Sequence, residues 1–297
     1  MELKLDGIGK RYGKHRALQN VSLIFHPGIY GLIGPNGAGK STMMNIIAGI
    51  LKQTEGKVLL DGQEAGKLGK RYRARLGYLP QAVGFYPNFT AVQFLRYMAQ
   101  IQEMEGTAVI EQRISELLEM VNLSTHANQK IGGFSGGMKQ RLGIAQALLH
   151  DPDIVIFDEP TAGLDPMERI RFRNLVTRIA VNKIVILATH IVSDVQNLAD
   201  ELLIMQKGSV ICRGTIPECL EIVNGRIYSV HIPESELLTF CEQYRVTQID
   251  AKGEDSVVRI VTDEPPKGAM LLESPNLEDL YLYFFGIQQQ NGTSEEL

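Results

Sequence analysis

The sequence predicts an α/β fold: a core with a mostly parallel sheet flanked by helices, followed by a small C-terminal α+β domain. Three observations lead there. From residue 1 to about Asn224, short β-rich runs alternate with helical periodicity. Residues 154–157 and 184–188 are apolar runs without polar alternation, as in strands covered on both faces. The run 29–33 leads directly into a glycine-rich loop at 34–42. A chain of 297 residues with 44% hydrophobic side chains is long enough for one large domain and one smaller one.

Taken in order, residues 1–6 alternate like a strand and lack the apolar core of a signal peptide, which places the chain in the cytoplasm. Runs 21–25 and 29–33 read as strands. Residues 90–102 and 108–121 repeat apolar side chains three or four apart, so they read as helices, the first capped by Thr90. Residues 81–150 then form a helical insertion between core strands. After Asn224-Gly225 come a strand at 227–232, a helix at 235–244, strands at 246–251 and 256–262 joined by a turn at 252–255, and an aromatic-rich helix at 277–285. The expected domains are therefore 1–224 and 225–286, with a disordered polar tail at 287–297.

Composition narrows the function classes. Thirty basic against 34 acidic residues, a net charge of −4, gives no bulk reason to expect nucleic acid as a partner. Cys212, Cys219 and Cys241 show no C-x-x-C spacing and read as buried reduced thiols. A long stretch without Asp, Glu, Lys or Arg, residues 21–39, is broken by Pro27, Pro35 and several glycines, so no membrane span is expected.

Gly34, Pro35, Asn36, Gly37, Ala38, Gly39, Lys40, Ser41 and Thr42 match the phosphate-cradling pattern G-x-x-x-x-G-K-[ST] at a strand-to-helix transition. Glycines let backbone N–H groups wrap phosphate oxygens, and the following helix aims its positive end at the same anion. Lys40 adds a point charge at the β and γ phosphates, and the Ser41 hydroxyl can ligate Mg²⁺. Asp158 and Glu159 end a buried strand, at the edge where a parallel sheet binds ligands. Asp158 would hold the hydration shell of Mg²⁺, and Glu159 would accept a proton from water attacking the γ-phosphate.

Together with Phe134-Ser135-Gly136-Gly137-Met138-Lys139-Gln140-Arg141 between them, these motifs resemble the nucleotide-binding domain of the ABC family. Ser135, Gly136 and Gly137 open a helix, hence a second anion-seeking N-terminus. The resemblance covers 1 to about 224. It implies a P-loop NTPase core with an antiparallel β subdomain, ATP and Mg²⁺ as cofactors, and ATPase activity. It also implies that Ser135 to Gly137 serve the ATP of a partner subunit. Gln81 resembles the glutamine that reaches Mg²⁺ and water, Asp165 the loop crossing the dimer interface, His190 the γ-phosphate sensor, and Tyr12 the aromatic that stacks on adenine. The commonest family form has Leu and Gln where this chain has Phe134 and Met138.

Residues 274–286 and the run Ser135 to Arg141 are similar to ATP-binding subunits of bacterial antibiotic- and drug-export systems. The resemblance implies a polytopic membrane permease as partner, a homodimer or heterodimer of ATP-binding subunits, and a peripheral place at the cytoplasmic face of the membrane. The aromatics Phe85, Tyr86, Phe89, Phe94 and Tyr97 fall where a permease helix docks in that family; packing in the helical insertion is the other reading for each ring. The alternative function is a soluble ABC-type ATPase acting on ribosome or DNA. A guanine reader is not expected, because Asn182-Lys183 is followed by Ile184 and Val185 rather than by an Asp at the required position.

Overall fold

The computed structural model describes residues 1–253 and 255–286. The tail at 287–297 expected to be disordered lies outside them, as does Glu254 of the expected turn. The chain divides into two compact units between Arg213 and Gly214.

The strands of the first unit are, in chain order, β1 (Leu3–Tyr12), β2 (His15–Phe25), β3 (Gly28–Ile33), β4 (Glu55–Leu60), β5 (Gln63–Glu64), β6 (Leu76–Leu79), β7 (Ile154–Asp158), β8 (Ile184–Thr189), β9 (Glu201–Gln206) and β10 (Ser209–Gly214). One sheet, in the order β2-β1-β4-β5, is antiparallel. The other runs β10-β9-β3-β8-β7-β6, and its strands β9, β3, β8, β7 and β6 are parallel.

Every residue of β7 and β8 is buried, which is why neither strand alternates polar with apolar side chains. The register sets Ile33 beside Thr189 and Asp158 beside Ala188. Gly34, Glu159 and His190 therefore leave the sheet along one edge, the carboxyl ends of parallel strands.

Helix α1 (Lys40–Ile47) follows β3, and its Met43, Met44, Ile46 and Ile47 join the core beneath the sheets. The short α2 (Ala65–Leu68) and α3 (Lys70–Arg73) precede β6. Between β6 and β7 lie α4 (Ala91–Ile101), α5 (Thr107–Met120) and α6 (Gly136–Ala147). Thr90 caps α4 in a reciprocal box with Gln93, worth about 1 kcal/mol at such a position. The buried residues of α4, Ala91, Phe94, Leu95 and Ala99, recur at helical spacing. After β7 comes α7 (Pro166–Ile179), and after β8 the short α8 (Val192–Gln196).

The second unit begins with α9 (Ile216–Leu220), followed by β11 (Ile227–Pro233), α10 (Leu237–Gln243), β12 (Arg245–Lys252), β13 (Asp255–Val261), β14 (Met270–Leu271) and α11 (Leu277–Phe285). Its antiparallel sheet has the order β12-β13-β11-β14. Val230, Ile232, Phe240, Val258 and Ile260 form its core. The division lies upstream of the Asn224-Gly225 boundary read from the sequence, because α9 packs with α11. Asp279, fully buried, is matched by the Arg259 guanidinium at 2.7 Å.

The thiols differ from expectation: Cys219 is buried, but Cys212 and Cys241 are partly exposed. Cys212 lies on β10, the edge strand of its sheet, none of whose residues is buried.

Candidate active site

The loop between β3 and α1 closes on its own lysine. Gly37 and Gly39 have φ of 80° and 105°, in the left-handed region that side chains rarely occupy. A Cβ on Gly39 would lie 2.7 Å from the Ala17 carbonyl oxygen, so close approach as well as φ requires glycine there. Lys40 is 7% exposed, and its Nζ donates to the carbonyl oxygens of Gly34 at 2.6 Å and Pro35 at 3.2 Å. Burial lowers its pKa, while the charges of Glu159 and Asp158 work in the opposite direction.

At the adjacent strand end, Asp158 is 2% exposed. Burial raises its pKa; a hydrogen bond from Ser41 opposes that rise, Glu159 reinforces it and Lys40 offsets it. Asp158 Oδ1 is buried with no hydrogen-bond partner among the described residues. A carboxylate oxygen left unpaired in the interior, beside a hydroxyl, is a donor set suited to a hard cation.

Glu159 is 7% exposed and takes φ +53°, the left-handed region that costs a non-glycine residue about 1 kcal/mol or more. Its backbone N–H donates to the Ala188 carbonyl at 2.9 Å, which holds that turn against β8. Its Oε2 lies 2.8 Å from Nδ1 of His190, and the His190 backbone N–H points to the same oxygen at 3.4 Å. A carboxylate so oriented, with an imidazole half in solvent beside it, can take up a proton from water.

Tyr12, Lys40, Ser41, Thr42, Gln81 and Glu159 line one open cleft. His15 and Ala17 line it too, and sequence reasoning missed both; the only signal was their place in the hairpin that carries Tyr12. Tyr12 is 49% exposed, with Lys10 Nζ 5.2 Å from its ring centroid.

Ser135, Gly136, Gly137 and Asp165 do not line this cleft. Ser135 is the N-cap of α6, accepting from Met138 N at 3.2 Å, and a Cβ on Gly136 would meet nothing within 4 Å. Asp165 caps α7 through Glu168 N at 2.8 Å. The two turns adjoin, since a Cβ on Gly137 would touch Leu164 at 3.4 Å, and Arg141 on α6 pairs with Glu168 on α7 at 3.2 Å. Phe134 is buried, so the larger side chain at this position fills core space and leaves the outward face to Ser135.

The aromatic region after Gln81 forms two groups of ring contacts. Phe94 is buried against Phe85, with ring centroids 5.1 Å apart. Tyr86, 48% exposed, contacts Phe89 and Tyr97 at 5.1 and 5.5 Å.

Comparison with known proteins identifies the family. The family described as ABC transporter matches residues 18–162. An uncharacterized ABC transporter ATP-binding protein of Bacillus subtilis, YxlF, is 36% identical over 78% of this chain and 77% of its own. Linearmycin resistance ATP-binding protein LnrL of the same organism is 36% identical over 75% of this chain and 72% of its own. Nod factor export ATP-binding protein I of Cupriavidus metallidurans is 30% identical over 97% of this chain and 99% of its own.

Among solved structures, the dimeric bacterial ABC transporter cassette MJ0796 superposes with a TM-score of 0.67 at 29% identity, covering 72% of this chain and 98% of that one. The same cassette in a post-hydrolysis state, bound to ADP and Pi, has a TM-score of 0.66 at 28% identity, with the same coverage. Among the described residues, no helix is long and apolar enough to cross a membrane. The family match and these relatives decide the identity: this chain belongs to the ABC transporter family, as an ATP-binding subunit that hydrolyses ATP.

Proposed function

We propose that this chain powers an exporter through a separate polytopic permease, bound peripherally at the cytoplasmic face of the membrane. The observation that carries the reading is the split of the site. Gly34 to Thr42, Asp158, Glu159 and His190 gather at one sheet edge, whereas Ser135 to Gly137 and Asp165 stand outside that cleft with open faces. Each ATP would then lie between the phosphate loop of one subunit and the α6 N-terminus of a second, in a homodimer or with a similar subunit.

In the proposed site, Tyr12 offers a face for the base and Lys40 a charge for the β and γ phosphates. Glu159, held by His190, accepts the proton of the attacking water as the bond to the γ-phosphorus forms. His190 keeps that carboxylate in place, and Gln81 at the cleft mouth orients the water. Ser41 and Asp158 fit Mg²⁺, since one oxygen of Asp158 has no other partner among the described residues. A magnesium ion held there would neutralise phosphate charge.

Export as the direction of transport is supported by the relatives named for Nod factor export and linearmycin resistance. Affinity purification of the full chain from detergent-solubilised membranes tests the reading. A polytopic membrane protein that co-purifies and stimulates ATP turnover is the expected result. Recovery of ribosomes or DNA in its place overturns it.

A further inference from the structure

Asp194 lies on α8 and is 3% exposed. A carboxylate that deep is costly unless it is paired and hydrogen-bonded. Its partners lie on two other segments. Thr161, fully buried, donates its hydroxyl to Asp194 Oδ2, and Arg169 Nη1 stands 4.0 Å from Asp194 Oδ1. The backbone N–H of Asp194 donates to the Ile191 carbonyl at 3.1 Å, which winds the chain tightly from His190 into α8.

These partners are placed where the proposed reacting groups are carried. Thr161 follows Glu159 by one intervening residue, and its carbonyl accepts from Leu164 N at 3.1 Å in the turn that leads to Asp165. Arg169, on the first turns of α7, also donates to the Leu164 carbonyl at 3.3 Å. Asp194 thus ties the segment after His190 to the segment after Glu159, alongside the direct 2.8 Å contact between those two side chains. It also reaches the helix whose cap is Asp165.

We infer that Asp194 is a positioning residue for ATP hydrolysis: through Thr161 and Arg169 it holds the Glu159–His190 pair in register with the Asp165 turn. The inference rests on Glu159 being the general base. Glu159 carries a left-handed backbone that its neighbours must hold, and the hydroxyl of Thr161 is the nearest side-chain anchor downstream of it. Charge alone does not explain the arrangement, because an ion pair at 4.0 Å is loose and the hydroxyl of Thr161 that donates to the carboxylate is neutral.

The test uses the purified full chain with Thr161→Val, Asp194→Asn and Asp194→Glu. Thr161→Val keeps the shape and removes only the donor. We expect Thr161→Val and Asp194→Asn to lower kcat by roughly tenfold or more, with KM for ATP within about threefold of the parent, since a misplaced base is a transition-state loss. Asp194→Glu should recover part of kcat. Combined with Glu159→Gln, neither change should reduce turnover further, because a positioning residue has nothing left to position.

A purely structural role predicts the opposite pattern, in which the thermal midpoint falls, kcat keeps its value in the folded fraction and losses add to that of Glu159→Gln. That pattern overturns the inference, as does an unchanged kcat in Thr161→Val. If Glu159→Gln itself turns over ATP at the parent rate, the reading of Glu159 fails first, and the two failures are separable.

Discussion

Oε2 of Glu159 and Nδ1 of His190 stand 2.8 Å apart although the residues are 31 positions apart in the chain. The contact exists because β7 and β8 are parallel neighbours that end together, with Asp158 opposite Ala188. The strand ends deliver one carboxylate and one imidazole to the same point. Glu159 takes φ +53° there, so a costly backbone angle is kept where the carboxylate proposed to react lines the cleft.

Replacing Glu159 by Gln keeps its size and removes its basicity. ATP binding should stay within a few-fold of the parent, while hydrolysis slows by about a hundredfold or more, the usual worth of a positioned base. With hydrolysis blocked, ATP should hold two subunits together as a dimer that size-exclusion chromatography with light scattering detects. Turnover at the parent rate would exclude Glu159 as the base.

A site shared between subunits makes a prediction that a self-contained site does not. Ser135→Arg places a long cation at the open N-terminus of α6 and should abolish turnover, while a Lys40→Ala chain should be inactive through its own phosphate loop. If the chain pairs with itself, mixing the two inactive proteins builds one intact site per mixed dimer, from the phosphate loop of one and Ser135 of the other. Measurable turnover on mixing is the expected result. Continued silence from the mixture, with both proteins folded, would contradict the shared site.

The sequence displayed the parts of this site unequally. Gly34 to Thr42 were legible because fixed residue types at fixed spacing follow an apolar strand, and Asp158-Glu159 because they end another. The strands β7 and β8 and the helices α4 and α5 were legible from periodicity alone, since burial on both faces or on one stripe leaves that signature. The bond between Thr161 and Asp194 and the contact between Glu159 and His190 left no such trace. They join residues more than thirty positions apart, and only the sheet order brings them together. Nor could the sequence distribute the aromatics after Gln81. Phe94 is buried and Tyr86 is exposed, although both rings belong to one run.

Gly39→Ala should damage both fold and binding. The new methyl would need φ near +105° and would sit 2.7 Å from the Ala17 carbonyl oxygen. The expected loss is about 1–3 kcal/mol of stability, with weaker ATP binding as the loop shifts. Gly136→Ala is the control, because its Cβ meets nothing within 4 Å in a helical position. Urea unfolding of both variants checks the contrast, and equal midpoints would show that the loop relaxes without cost.

His150 supplies a pH prediction away from the site. Its Nε2 lies 2.9 Å from the Leu76 carbonyl, and burial holds the imidazole below its ordinary value of 6.5. The folded state therefore favours the neutral ring. The stability that comes from this preference is fully present above pH 6.5 and is lost as pH falls below it toward the lower folded value. In thermal melts at about pH 7.5 and about pH 5.5, the parent should lose more stability on acidification than His150→Gln, whose amide can still donate to Leu76. Identical losses in both proteins would refute the assignment.

Asp158 sets stability against function. Burial raises its pKa from 3.8, so the folded state holds the proton more tightly than the unfolded chain does. For a carboxylic acid shifted upward, folding loses stability as pH rises from 3.8 through the folded value, and at neutral pH the ionised side chain weakens the fold. In the proposed site, an unpaired oxygen beside Ser41 would serve a divalent cation, which would offset that unfavourable charge when nucleotide is bound. Asp158→Asn removes the charge and keeps the shape. Without nucleotide, the variant should melt at a higher temperature than the parent at neutral pH, and the gap should narrow as pH approaches 4. Its ATP turnover should fall by at least about a hundredfold, and added Mg²⁺ should no longer strengthen ATP binding measured by calorimetry. A variant less stable than the parent at neutral pH, or one whose binding still responds to Mg²⁺, would show that Asp158 is held by other interactions and does not face the metal.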